Sequence, residues 1–357
     1  MSMQGKRHSP CDPLETVSKR ILCVQRSNCR PYSGVNNHAR MQSLRAALFA
    51  AMTLALAPAS IGAEKSTLVL GTATAGGGFT VYGEALAETV RKADPTLDVT
   101  TRPTAGSKEN IPLLEAGQLD LGLIEGTAAY EALMGIGRSP AQLTVIAAMY
   151  PSAGMFAVRA DSPYLTVADL KGQRVVFGAA GSGFVLFARY VLDGLGLDMH
   201  KDFDAVLLDK VKDAAPMVIK GEAASLWGGG IGWPAFQAIA RGPNGARFIG
   251  LEADDISRIR AKHPFLKTMT VPAGTYPGLD RAVSTVGSWG IILARPGLPD
   301  DLAYRFARAL HRAHPALSQQ LPQARETIPA NTLVGSPGEE FLHPGVIRYL
   351  KESGLIH

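Results

Sequence analysis

"LVLGTATAGGGFTVYGEALAETV", residues 68–90, decides the reading of the fold. An apolar run opening at Leu68 meets three consecutive glycines, Gly76, Gly77 and Gly78. Tyr82, Ala85, Leu86 and Val90 then recur at helical spacing. The stretch reads as strand, glycine loop, helix. Such a loop can cradle a phosphate, receive a carboxylate or simply turn the chain.

Outward from this unit, short apolar runs alternate with helical segments, which argues an α/β fold. Strands are predicted at 68–71, 99–102, 121–124, 145–149, 156–159, 174–177, 205–208, 225–227, 248–249 and 289–294. Helices are predicted at 80–93, 108–116, 185–195, 213–219, 254–262 and 300–313. Pro112 removes a backbone donor about one turn into its helix, so that helix starts late or bends there. The order strand, glycine loop, helix, strand, helix, Gly, strand occurs twice, from "LVLGTATAGGGF" and again from "RVVFGAAGSGF". A second echo links "GMFAVRADSPYLTVADL" to "GIILARPGLPDDLAYRF". Two similar lobes joined by two crossings would produce both echoes, although α/β units also resemble one another generally.

The formal charge of +5 has a definite location. Residues 1–63 hold eight Lys or Arg against two Asp or Glu, and residues 64–357 hold 28 against 29. The basicity belongs to the leader, so a nucleic-acid partner loses its support. "MQSLRAALFAAMTLALAPASIGAEK" starts at Met41, with Arg45, an apolar stretch over 46–57, Pro58 and "IGA" before Glu64. Residues 41–63 read as a cleaved signal peptide, too short for a membrane span, which directs the rest to the periplasm. Residues 1–40 are polar and irregular, and read as a non-native or disordered extension ahead of a true start at Met41. Cys11, Cys23 and Cys29 all lie there without zinc-site spacing. The mature chain therefore has neither disulfides nor thiol chemistry.

The glycine loops exclude some chemistries. A Walker loop needs a lysine that does not follow Gly78, and neither "GTATAGGGF" nor "GAAGSGF" contains G-x-G-x-x-G. A hydrolase elbow fails around Ser182, because Ala180 stands where its first glycine belongs. Anion capture remains: the N–H groups and positive dipole end of a helix start favour a carboxylate. Three segments offer this: 76–80 with Thr80, "AGSKEN" with Ser107 as N-cap, and Gly181, Ser182 and Gly183. Each alone can be a structural turn, but three facing one cleft would be a site.

Glu125 ends the strand "LGLIE", where its carboxylate could hold a ligand ammonium or stand solvated. Trp227, Trp233 and Tyr276 could wall a ligand or fill a core. "VPAGTYPG", residues 271–278, is a functional loop, a hinge or a plain connector. His311 and His314 are three apart on a helix face, but no acid or cysteine cluster accompanies them. No catalytic residues, metal or cofactor are expected.

The ordered set "GTATAGGGFTVYGEALAE", "TAGSKENIPLLEAGQLDLGLI", "LKGQRVVFGAAGSGFVLFARYVLDGLGL", "VPAGTYPGLDRAVSTV" and "LHPGVIRYLKESG" resembles the TAXI family of solute receptors for TRAP transporters. The resemblance covers nearly all of residues 66–353. It implies a two-lobe type II periplasmic binding protein fold, with lobe I at 64–160 and 271–357 and lobe II at 161–270. The interlobe crossings would lie near Ala160 and Val271, and the cleft would close on solute. The implied function is capture of a small carboxylate, an organic acid or an amino acid such as glutamate. Delivery would be to a TRAP membrane subunit driven by an ion gradient, commonly sodium, by a monomeric receptor.

The family's first loop maps to Gly76, Gly77, Gly78 and Thr80, with Tyr82 just beyond. Its second stretch maps to Ala105, Gly106, Ser107, Glu109 and Asn110. The third maps to Gly178, Gly181, Ser182 and Gly183, and "AGTYPG" to residues 273–278 with Tyr276. The sequence departs from the family at Ala224, where an acid is usual, at "GSWG", and at Glu125, where a neutral polar residue is common. A ligand sensor docking on a membrane kinase, or an exported enzyme on the same fold, are the alternative readings.

Overall fold

Residues 65–357 are described by a computed structural model. The leader, the signal peptide and the three cysteines lie outside the described residues. Strand β1 (Ser66–Gly71) leads through the glycine loop into helix α1 (Gly78–Ala93). Tyr82, Leu86 and Val90, one helical turn apart, bury one face of α1, while Arg91 and Lys92 sit at its negative C-terminal end. β2 (Leu97–Arg102), α2 (Ser107–Glu115), β3 (Leu121–Ile124) and α3 (Gly126–Met134) follow. α2 runs through Pro112 without ending.

Two long strands organise the rest. β4 (Thr144–Arg159) joins what the sequence reads as two strands, and β10 (Val283–Ala294) extends well upstream of the predicted 289–294. In the first half of the structure, β1 pairs in parallel with β2 and β3, and β10 lies antiparallel between β3 and β4. In the second half, the far end of β4 pairs with β7 (Ser225–Gly229) and β8 (Ala246–Ile249). β7 continues in parallel to β5 (Arg174–Ala179) and then β6 (Asp204–Leu208). β9 (Lys267–Val271) pairs with the start of β10.

The molecule thus has the two-lobe α/β fold of type II periplasmic binding proteins, with β4 and β10 passing between lobes. The handover falls where Pro151, Ser152 and Ala153 face Trp289, Ser288 and Gly287. Pro151 lacks a ladder donor, and the register slips beside it, between Trp289 and Ile291.

Helices α4 (Gly183–Gly194), α5 (Ala214–Ile219), α6 (Pro234–Ala240) and α7 (Ala253–Lys262) cover the second lobe. Helices α8 (Asp300–Gln320), α9 (Pro329–Gly335) and α10 (Pro344–Glu352) return to the first. α8 continues past Pro315, beyond the predicted end at 313. The burial of Leu317 in the first-lobe core holds the extra turn in place. The second lobe has separate apolar clusters, one around Phe177, Phe187 and Trp227 and one around Phe236, Phe248 and Tyr276.

Candidate functional site

The lobes touch across the cleft. The N–H of Lys108 donates to the Gly181 carbonyl at 3.1 Å, and the Tyr190 hydroxyl donates to Glu131 at 2.7 Å. Tyr130 stacks on Phe265 with centroids 4.3 Å apart. Glycine makes this approach possible. A Cβ on Gly183 would lie 2.5 Å from Glu125 Cβ and 2.9 Å from Ser107 Oγ, and one on Gly181 would lie 2.6 Å from the Ala105 carbonyl oxygen. Gly76, at φ +81, brings its loop against Lys212 of the opposite lobe.

Behind these contacts lies a cavity of about 70 Å³. Gly77, Gly78 and Phe79 line it from the start of α1, Ser107 from the start of α2, and Ser182, Gly183 and Phe184 from the start of α4. The first N–H groups of a helix have no intrahelical acceptor, so three helix N-termini from both lobes open on one space. Aromatic side chains form its walls. Phe184 and Trp233 lie nearly parallel at 6.5 Å, Tyr150 meets Phe79 edge-on at 6.3 Å, and Trp227 closes the side. The Trp227 indole N–H donates to the Phe184 carbonyl at 2.9 Å.

Among the described residues, Glu125 and Tyr150 are the titratable side chains lining the cavity, and no Lys or Arg joins them. Glu125 is 1% exposed and caps α3. Its carboxylate accepts from the N–H groups of Thr127 (2.9 Å) and Ala128 (3.4 Å), from the Thr127 hydroxyl (3.3 Å) and from the Ser288 hydroxyl. Its own N–H donates to Ser107 Oγ at 2.9 Å. Burial, only partly offset by these bonds, pushes the carboxyl up from 4.5 to about 7. Burial likewise raises the Tyr150 hydroxyl, which stays neutral.

Several residues singled out in the sequence stand behind the cavity. The Thr80 hydroxyl donates to the carbonyls of Ala73 (3.1 Å) and Thr74 (2.9 Å) and so shapes the first glycine loop. Tyr82 is fully buried, bonds Thr327 at 2.9 Å and backs Tyr150 edge-on. Asn110 is buried and donates to the carbonyls of Thr72 (2.8 Å) and Leu123 (3.1 Å), tying α2 to the strand ends. The Tyr276 hydroxyl donates to the Gly230 carbonyl and accepts from the Trp233 N–H at 3.1 Å, which fixes Trp233. Gly76 and Gly181 serve the contact between lobes.

Phe79, Tyr150, Phe177 and Phe184 were not singled out in the sequence. Phe79 and Phe184 carried a signal, since each glycine loop ends in Gly-Phe as the first pair of its helix. Tyr150 carried none: the path of β4 puts it there. His343 of "LHPG" lies away from the cavity. It caps α10, with Nδ1 accepting from the Gly345 N–H at 3.1 Å and Nε2 bonding the Leu298 carbonyl at 3.0 Å.

Among the described residues, no cluster of His, Cys, Asp and Glu is arranged to hold a metal, and no helix is long and apolar enough to cross a membrane.

Solved structures are similar to this chain at low identity. The chain is similar to the periplasmic aliphatic sulphonate binding protein SsuA from Escherichia coli (18% identity, 80% of this chain and 78% of that chain covered, TM-score 0.45). It is similar to the alkanesulfonate-binding protein SsuA from Xanthomonas axonopodis pv. citri (19%, 81% and 84%, TM-score 0.46). It is also similar to a protein from Bordetella bronchiseptica RB50 (15%, 82% and 82%, TM-score 0.50). The NMT1-like family matches residues 70–354, nearly the whole described chain, and to that family this chain belongs.

Proposed function

We propose that this chain is an exported solute receptor of the TAXI type. It captures a small carboxylate in the interlobe cleft and delivers it to the membrane subunit of a TRAP secondary transporter. The observation that carries this reading is the convergence of the α1, α2 and α4 N-termini, drawn from both lobes, on a single cavity. Helix dipoles and free N–H groups favour an anion there without a cationic side chain. The cavity of about 70 Å³ suits a small solute, and the aromatic walls exclude water. β4 and β10 serve as the hinge, opening at Pro151–Ala153 and Gly287–Trp289. Residues 41–63 direct the chain to the periplasm, where it works as a monomer.

A thermal-shift screen of dicarboxylates, oxoacids and amino acids tests the reading, because a ligand of the folded state raises the melting temperature by mass action. At least one carboxylate should do so. Ser107→Ala and Ser182→Ala should each weaken that ligand about tenfold, the value of one good hydrogen bond to a charged group. A screen in which no carboxylate shifts the transition contradicts the assignment.

A further inference from the structure

We propose that the solute is an organic anion lacking an ammonium group, and that Glu125 takes up one proton from solvent when the anion binds. The inference rests on the receptor reading above and adds to it the charge balance of the cleft.

The geometry places the anion seat against Glu125. Ser107 and Gly183 open helices α2 and α4 into the cavity, and both touch Glu125. The Glu125 N–H donates to Ser107 Oγ at 2.9 Å, and the position of a Cβ on Gly183 lies 2.5 Å from Glu125 Cβ. A carboxylate held on those helix N-termini shares a cavity of about 70 Å³ with Glu125. Two carboxylates so close cannot both remain ionised: the ligand's is held by helix N-termini of both lobes, whereas that of Glu125 is 1% exposed and held at the N-terminus of α3 alone, so Glu125 takes the proton.

Among the described residues no Lys or Arg lines the cavity; Lys212, whose Cβ abuts the Gly76 loop, is exposed. α2 carries Lys108, Glu109 and Glu115. Lys108 is exposed and faces the outer groove, and Glu109 accepts from the Ala105 N–H. Arg138 pairs with Glu115. On α3, Glu131 accepts from the Tyr190 hydroxyl, and Tyr130 stacks on Phe265. α4 carries Arg189, which is exposed, and Asp193, which pairs with Lys262 and His263. β3 and β10 carry no charged residue, and β4 brings Tyr150. Only neutral donors hold the Glu125 carboxylate, and burial has already moved its ionisation to about 7, so an adjacent anion tips it fully to the acid form.

An amino acid fits the site less well. Its ammonium would need the Glu125 carboxylate as partner, but four neutral donors already occupy that group. Such a ligand would also keep Glu125 ionised and take up no proton. The proton balance therefore separates the two ligand classes.

Calorimetry on the wild-type chain tests this, with pyruvate, fumarate and L-glutamate as probes in pairs of buffers of different protonation enthalpy. These probes' carboxylates stay ionised between about pH 6.5 and about pH 8.5, so any proton taken up belongs to the protein. Pyruvate or fumarate should bind with uptake approaching one proton at the alkaline end. Its Kd should rise by up to tenfold per pH unit above about pH 7. Glu125→Gln, which keeps an acceptor oxygen for the α3 cap, should bind with no buffer dependence and a flat pH profile. Binding of pyruvate or fumarate without proton uptake overturns the inference and leaves the receptor reading intact. So does tight binding of L-glutamate alone without uptake. Binding of none of the three at either pH overturns the carboxylate reading and this inference with it. The buffer comparison on the wild type decides the matter even if the variant fails to fold.

Discussion

Glu125 and Gly183 meet where the lobes close, and each has a property that a single substitution isolates. The folded-state pKa of Glu125 is raised above its ordinary 4.5 to about 7 by burial, so the native state binds more protons than the unfolded chain between those values. Stability should therefore fall as pH rises from about 4.5 through about 7. In urea melts across that window, wild type should lose midpoint relative to Glu125→Gln, whose profile lacks this slope. Equal slopes would mean that Glu125 titrates as an ordinary carboxyl. At Gly183 the backbone conformation suits any residue, and the crowding comes from the opposite lobe. Gly183→Ala should leave the melting temperature of the unliganded protein within a few degrees of wild type. It should weaken ligand about fivefold or more, because overpacking costs about 1–3 kcal/mol. Calorimetry and a thermal melt on one sample separate the two effects.

At the level of elements, the glycine loops were readable in the sequence because their constraint is local. A strand, a run of glycines and a helical repeat fix a turn whatever surrounds it, and Gly77, Gly78, Ser107, Ser182 and Gly183 all line the cavity. Thr80, Tyr82, Asn110 and Tyr276 belong to the same motifs but hold the site from behind, and spacing alone cannot separate a lining residue from its support. Tyr150 was invisible because its place depends on β4 continuing through Pro151, a consequence of pairing with β10. Glu125 stood out as a strand-end acid, whereas its capping role depends on α3, whose opening Gly-Thr hid the helix. Tyr276→Phe should loosen Trp233 by removing the bonds to Gly230 and to the Trp233 N–H. Ligand-induced tryptophan fluorescence should change in form and affinity should fall severalfold, with no effect on export.

The pairing of α8 with α10 offers a test remote from the site. Among the described residues, neither buried ring nitrogen of His311 has a hydrogen-bond partner, and its ring stacks on Tyr349 at 5.3 Å. Burial, then the neighbouring His314, pushes its pKa down from 6.5 to about 3. Protonation thus favours unfolding, and stability drains away as pH falls below about 6.5. His311→Phe keeps the stack and removes the unpaired nitrogens. It should stabilise by about 1 kcal/mol near neutrality and by more in acid. A destabilised variant would show that the imidazole has a partner in solution.

For the whole molecule, two strands crossing between two lobes allow a hinge, and Gly181 and Gly183 allow close approach where the cleft closes. At Gly287 a Cβ would press on the Ser152 carbonyl oxygen at 2.5 Å, inside the handover itself. In the proposed receptor, helix N-termini from opposite lobes close together on one small acid, so binding and closure are a single event. Calorimetric titration of the carboxylate panel into wild type and Gly183→Ala tests this most directly. Wild type should show one site per chain for at least one acid, with affinity reduced about fivefold or more when Gly183 gains a methyl group. Equal affinity in both proteins would contradict it, as would a panel with no binder.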